Sequence, residues 1–277
     1  MEMVDMLEAL HFEFMRNALL AGLLASIACG IVGTFVVVNR LAFLSGGIAH
    51  ATYGGIGLAF FFRLPYTLST LGFALLTSAV MAIVTLKARD RSDTIIGVLW
   101  ALGMALGVIL IDLTPGYNVD LMSFLFGSIL TVSESDIFMM LVLCSVIAFI
   151  VVFFYNDLIA YSYDEQFARI RGVSVMFLHF LLLAMIAFSV VIIIRVVGLI
   201  LVIALLTIAP YIAEGYAGSI RKMIVVSTLL NSFFTLIGLW LSYAFNLTCG
   251  ATIIMVAGSC FLISLILEHL IPRHGSL

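Results

Sequence analysis

Charge is what this chain most lacks. Only 10% of its 277 residues are Asp, Glu, Lys or Arg, while 64% are hydrophobic; a soluble domain carries about 25% charged residues. Such a sequence is read as an integral membrane protein forming one compact bundle, with no soluble domain. The 12 basic and 15 acidic side chains form no run of either sign, which excludes a nucleic-acid partner. Cysteines are few. Cys29, Cys144, Cys249 and Cys260 lie scattered in apolar segments with no CxxC pair, so neither a disulfide framework nor a zinc knuckle is expected, and they are taken as core residues. The GxxxxGK[ST] phosphate loop, the HExxH helix and the GxSxG elbow are all missing; the chain is expected to be no enzyme and to bind no cofactor covalently. A basic leader is missing too. Residues 1–14, MEMVDMLEALHFEF, carry four acids and neither Lys nor Arg, the opposite of a signal peptide, and their apolar positions suit an interfacial helix.

Long apolar runs are what the chain has. A span needs about 20 mostly apolar residues. Candidates lie at about 17–39, 43–62, 67–86, 94–113, 136–155, 174–194, 196–213, 222–245 and 250–271. The expected fold is therefore an all-α polytopic bundle of about nine transmembrane helices, with eight possible because two spans nearly touch at Arg195. The domain is placed at 15–271, with a short tail at 272–277. The segment 121–130, LMSFLFGSIL, is apolar but too short to cross and is read as interfacial or re-entrant. With the N-terminus outside and the C-terminus inside, Arg40, Lys87, Arg89, Arg91, Arg169, Arg171, Arg221, Lys222 and Arg273 face the cytoplasm, against Arg16, Arg63 and Arg195 outside. The positive-inside rule favours that orientation.

A few polar residues at membrane depth carry the possible chemistry. In AFLSGGIAHATYGGIGLAFFF, residues 42–62, His50 shares a helix face with Gly46, Gly47, Gly54 and Gly57. A small-residue stripe permits close helix packing, and an ionisable group inside a span is a functional candidate. Neutral imidazole suits zinc, copper, iron and nickel. On this expectation the glycines leave room around the imidazole, and ligands from other helices or a second subunit complete the site. Asp112 and Asp120 are placed near the outer face, either as solvated loop residues or as a weak cation-attracting mouth. His179 is expected to be a satisfied packing residue, Asn231 an interhelical hydrogen bonder, and Glu214 a partner of Arg221 or Lys222.

Between two spans, AYSYDEQFARIRGVSVMF (160–177) is polar. Asp164 or Ser162 can cap a short helix at about 162–173, with Glu165 in its first turn and Gly172 at its end. Phe167 and Ile170 form an apolar side; Arg169 and Arg171 are polar. Such a helix either connects spans or docks a cytoplasmic partner.

Several stretches together resemble the permease subunits of ABC importers for zinc, manganese or iron. GIVGTFVVVNRLAFLSGGIAHATYGGIGL is similar to their first-to-second span junction, and SDTIIGVLWALGMALGVILI with VDLMSFLFGSILTVSESDI to their middle section. YDEQFARIRGVSV resembles the loop that docks on the ATPase; RVVGLILVIALLTIAP and GLWLSYAFNLTCGATIIM complete the order. The resemblance runs from about 17 to 265. It implies a type II ABC importer permease in the prokaryotic cytoplasmic (inner) membrane. Two copies would form a metal pathway, a separate ATPase dimer would dock below, and an external metal-binding protein would deliver the cargo. It also implies that His50 is the intramembrane histidine and that Asp164 to Gly172, including Glu165, Phe167 and Arg169, form the docking helix. Many relatives carry aspartate four residues before that histidine, where this chain has Gly46; losing a hard oxygen ligand tilts the expected cargo from manganese toward zinc. Manganese or iron as cargo is the alternative within the family. An ion-coupled secondary transporter is the alternative outside it, disfavoured by the absence of mid-span acids.

Overall fold

The computed structural model describes residues 11–87, 91–115, 127 and 132–270. Among them are twelve helices and no strand: α1 (Glu13–Val38), α2 (Ala42–Ala51), α3 (Tyr53–Phe61), α4 (Tyr66–Lys87), α5 (Ser92–Asp112), α6 (Glu134–Phe153), α7 (Tyr155–Tyr163), α8 (Glu165–Ile170), α9 (Val175–Val197), α10 (Leu199–Glu214), α11 (Ile220–Phe245) and α12 (Cys249–Leu270). Seven are long and apolar enough to cross a membrane: α1, α4, α5, α6, α9, α11 and α12. The expected count of about nine is therefore matched only roughly. The two remaining apolar segments differ in form. The segment at 43–62 is interrupted at Thr52, whose hydroxyl donates to the Ile48 carbonyl at 2.6 Å while its own carbonyl accepts from the Gly55 N–H, three residues on. The segment at 196–213 is the 16-residue α10. Gly198 alone separates it from α9, at φ 80° and ψ 169°, a region essentially reserved for glycine. The interfacial segment expected at 1–14 lies mostly outside the described residues; Glu13 and Phe14 already belong to α1. The segment 121–130 lies outside them except for Gly127.

Helices α1 and α9 form the centre. Their most apolar stretches are about two-thirds or more buried, against a third or less for the other long helices. Small residues let α1 take that place. A Cβ added at Gly30 would lie 2.7 Å from the Thr228 backbone, and one at Gly33 would lie 2.6 Å from the Leu206 carbonyl oxygen. That carbonyl is the one Pro210 cannot serve, because proline lacks the N–H that would reach four residues back. Buried polar side chains add contacts: Ser26 lies 3.1 Å from Thr235, and the Asn231 amide donates to the Leu205 carbonyl at 3.0 Å, the interhelical bond expected of it.

Side chains cap the starts of α6, α8, α9 and α11. Ser133 and Asp136 form a reciprocal capping box at the start of α6. Ser133→Ala is expected to lower stability by about 1 kcal/mol, read as a lowered midpoint in detergent-solubilised thermal unfolding.

Candidate functional site

Helices α2 and α3 run parallel to α5 and pack on it almost backbone to backbone. A Cβ at Gly47 would meet the Ile96 side chain at 2.7 Å. Gly103 faces the Ala51 backbone at 2.6 Å, and Gly107 faces the Tyr53 carbonyl oxygen at 2.4 Å. Gly57 faces Gly107 in turn, Gly55 faces Thr70 of α4, and Gly46 faces Ile203 of α10 at 3.3 Å. The glycines thus make contacts with three different helices, as the close-packing reading of the small-residue stripe expects, rather than clearance around the imidazole. Van der Waals packing of small residues is the main adhesive available between helices in lipid.

His50 sits in the last turn of α2 and is half-buried. Its ring stacks on Trp100 of α5, centroids 4.2 Å apart and planes 14° from parallel. Its Nδ1 is buried with no hydrogen-bond partner. The Trp100 indole N–H donates instead to the Met104 sulfur at 3.2 Å. Asp112, exposed at the last residue of α5, is twelve residues beyond Trp100, about 18 Å along the axis at 1.5 Å per residue. His50 and Asp112 are therefore not brought together, and Asp120 lies outside the described residues. Among the described residues no group of three or more His, Cys, Asp or Glu could hold a metal ion. Trp100, Met104, Gly103 and Gly107 were not singled out from sequence as site residues; the GMALG spacing, a GxxxG pattern, was the available signal for the last two.

The opposite end is basic and holds α7 and α8. Asp164 is the cap of α8, its carboxylate accepting from the Gln166 and Phe167 N–H groups at 2.8 and 3.1 Å. The helix is shorter than the expected 162–173, since Ser162 belongs to α7. Glu165 and Arg169 pair with each other, Arg171 lies over the Phe167 ring, and Gly172 turns the chain at φ 79°. An open cleft between α7 and α8 is lined by Asn156, Tyr163, Asp164, Phe167 and Arg171. Side-chain hydrogen bonds tie α7 to the bundle. Asn39, at the end of α1, donates to Ser162 at 2.9 Å. His179 of α9 has Tyr161 at 2.9 Å from Nδ1 and Thr85 of α4 at 2.8 Å from Nε2, the satisfied histidine expected. These ties gather Arg40, Lys87, Arg169 and Arg171 at one end. Among the described residues Glu214 forms no ion pair with Arg221 or Lys222; Arg221 lies over Tyr155.

Membrane-length helices packed through glycines, with a short helix at the basic end, define a multi-span membrane protein. Comparison with known proteins gives its family: the sequence matches the ABC 3 transport family over residues 11–268, and the chain belongs to it. It is 47% identical, over 94% of its length and 92% of the relative's, to an uncharacterized membrane protein of Synechocystis sp.. It is 30% identical, over 94% of each, to the manganese import system permease protein ScaB of Streptococcus gordonii. Among solved structures, PsaBC from Streptococcus pneumoniae in complex with Fab superposes with a TM-score of 0.87 at 31% identity, covering 95% of both chains.

Proposed function

We propose that this chain is the membrane-spanning subunit of an ATP-driven importer of divalent transition-metal ions, with His50 as a pathway ligand. Membership in the ABC 3 transport family carries the importer reading, and the buried, unpartnered Nδ1 of His50 supports the ligand role. A buried polar atom without a partner costs about 1–3 kcal/mol, and a nitrogen that binds a passing cation has a reason to be left free. The chain supplies no ATPase. A separate ATP-binding cassette dimer docks on α8, a second copy of the permease completes the pathway, and an external binding protein delivers the metal. Asp112, at the end opposite α8, fits the outer mouth, with Asp120 following it in the chain. The clustering of arginines and lysine at the α8 end supports a cytoplasmic location for that end, and with it the orientation inferred from charge. Membership in an ABC family leaves the ion-coupled carrier without support.

Zinc is the cargo favoured by the donor chemistry, since position 46 offers no hard oxygen and His50 offers a borderline nitrogen. Manganese is the second reading, favoured by the manganese permease among the similar proteins. The test is ATPase stimulation and uptake by the assembled complex in liposomes, with zinc, manganese and iron in turn. One metal is expected to stimulate at the lowest concentration, and His50→Ala to lower its uptake at least tenfold without changing the amount of assembled complex. Unchanged uptake in His50→Ala removes the ligand role. Because a proton competes with the metal for an imidazole nitrogen, uptake is expected to weaken at acid pH.

A further inference from the structure

Packing holds the α7–α8 end to the bundle only lightly. Beneath α8 lies a small apolar cluster of Ala160, Ala168 and Val175, flanked by Tyr161 and Val173. Two alanines and a valine bury few methyl groups, and burial stabilises in proportion to apolar area. Hydrogen bonds supply the direction that this packing lacks. His179 stands one turn beyond Val175 on the same face of α9 and is buried. Its two ring nitrogens meet hydroxyls from two other helices, Tyr161 of α7 and Thr85 of α4.

The hydroxyls assign the tautomer. Thr85 donates to the Met81 and Ala82 carbonyls at 3.0 Å each, so its oxygen accepts the proton of His179 Nε2. A neutral imidazole then offers an acceptor at Nδ1, and the Tyr161 hydroxyl donates to it. The chain of donors thus runs in one direction, from α7 through α9 to α4. Asn39 adds a parallel bond to Ser162, the residue after Tyr161.

We infer that His179 is a positioning residue: through Tyr161 it holds α7 and α8 at a fixed angle to the bundle, ready for the ATPase. This role rests on the proposed docking of the ATPase on α8. An element held in one orientation presents Phe167 and Ile170 to the partner continuously. One that rocks presents them for a fraction of the time, and apparent affinity falls by that fraction.

Tyr161→Phe removes the hydroxyl and keeps the ring. In detergent-purified permease it is expected to speed amide hydrogen exchange over residues 155–173 while leaving α4 exchange and the thermal midpoint unchanged. Affinity for the purified ATPase subunit should fall about threefold to tenfold. His179→Leu should lose at least as much affinity, and His179→Asn, which keeps an acceptor near the place of Nδ1, should recover most of it. Should His179→Leu fold poorly, Tyr161→Phe and His179→Asn carry the test. Phe167→Glu with Ile170→Glu is the reference for docking itself. If that reference loses ATPase binding while Tyr161→Phe keeps full affinity and unchanged exchange, the positioning role falls and docking on α8 stands. If Tyr161→Phe lowers the midpoint and speeds exchange in α4 and α9 as well, His179 only packs the core, and the positioning role is overturned. If the reference variant itself keeps full affinity, docking on α8 falls and the role of His179 falls with it.

Discussion

Gly107→Val is expected to abolish the folded permease. The valine Cβ would lie 2.4 Å from the Tyr53 carbonyl oxygen and 2.7 Å from both its carbonyl carbon and its ring. Tyr53 is buried, and the atoms in the way are mostly backbone, so no rotamer change relieves the clash. Overpacking a core that can adjust costs about 1–3 kcal/mol; here α3 would have to leave α5, and the loss is expected to exceed about 3 kcal/mol. Size-exclusion chromatography and thermal unfolding in detergent read the outcome as loss of the monodisperse species or a midpoint at least about 5 °C lower, roughly what that energy implies for a chain of this size. Gly97→Ala is the control. A Cβ at Gly97 meets nothing within 4 Å, and alanine improves helix propensity by up to about 1 kcal/mol. Equal midpoints for the two variants would mean that α3 and α5 do not pack in the register described.

This contrast marks the boundary between what sequence makes legible and what it does not. Hydropathy placed all nine apolar segments, because burial in lipid needs only length and composition. It did not separate seven unbroken helices from the interrupted α2–α3 pair or the short α10, since the interruption at Thr52 is one helical-range turn and that at Gly198 one residue. Periodicity put Gly46, Gly47, His50, Gly54 and Gly57 on one side of a helix. It showed a stripe fit for close packing but could not say that three different neighbours, α4, α5 and α10, meet that side and leave no clearance for the imidazole. Local chemistry fared better. Asp164 capping, the satisfied His179 and the bonded Asn231 depend on residue type and near neighbours. Trp100 was invisible as a site residue because its importance comes from a contact between residues 50 positions apart, and half-buried tryptophans are ordinary in membrane helices.

The second large effect is expected at the other end of the molecule. If α8 docks the ATPase, the residues that matter are those it turns outward. Ala168 is fully buried and anchors the helix, whereas Phe167 is 51% and Ile170 84% exposed. Glu165 and Arg169 are the tempting targets from sequence, but they neutralise each other, and an exposed pair is worth about 0–1 kcal/mol. Large apolar side chains carry interface energy when a partner desolvates them. Phe167→Glu with Ile170→Glu is therefore expected to weaken binding of the purified ATPase subunit at least 100-fold, about 2.8 kcal/mol. Thermal stability of the permease alone should shift by no more than about 0.5 kcal/mol, as for surface changes, and metal-stimulated ATP hydrolysis of the mixture should disappear. Glu165→Gln with Arg169→Gln should retain most of the affinity. Undiminished ATPase binding by the Phe167 and Ile170 double variant would move the docking surface away from α8. A large loss confined to the Glu165 and Arg169 variant would show that docking there is electrostatic, and it would then fall off steeply with added salt.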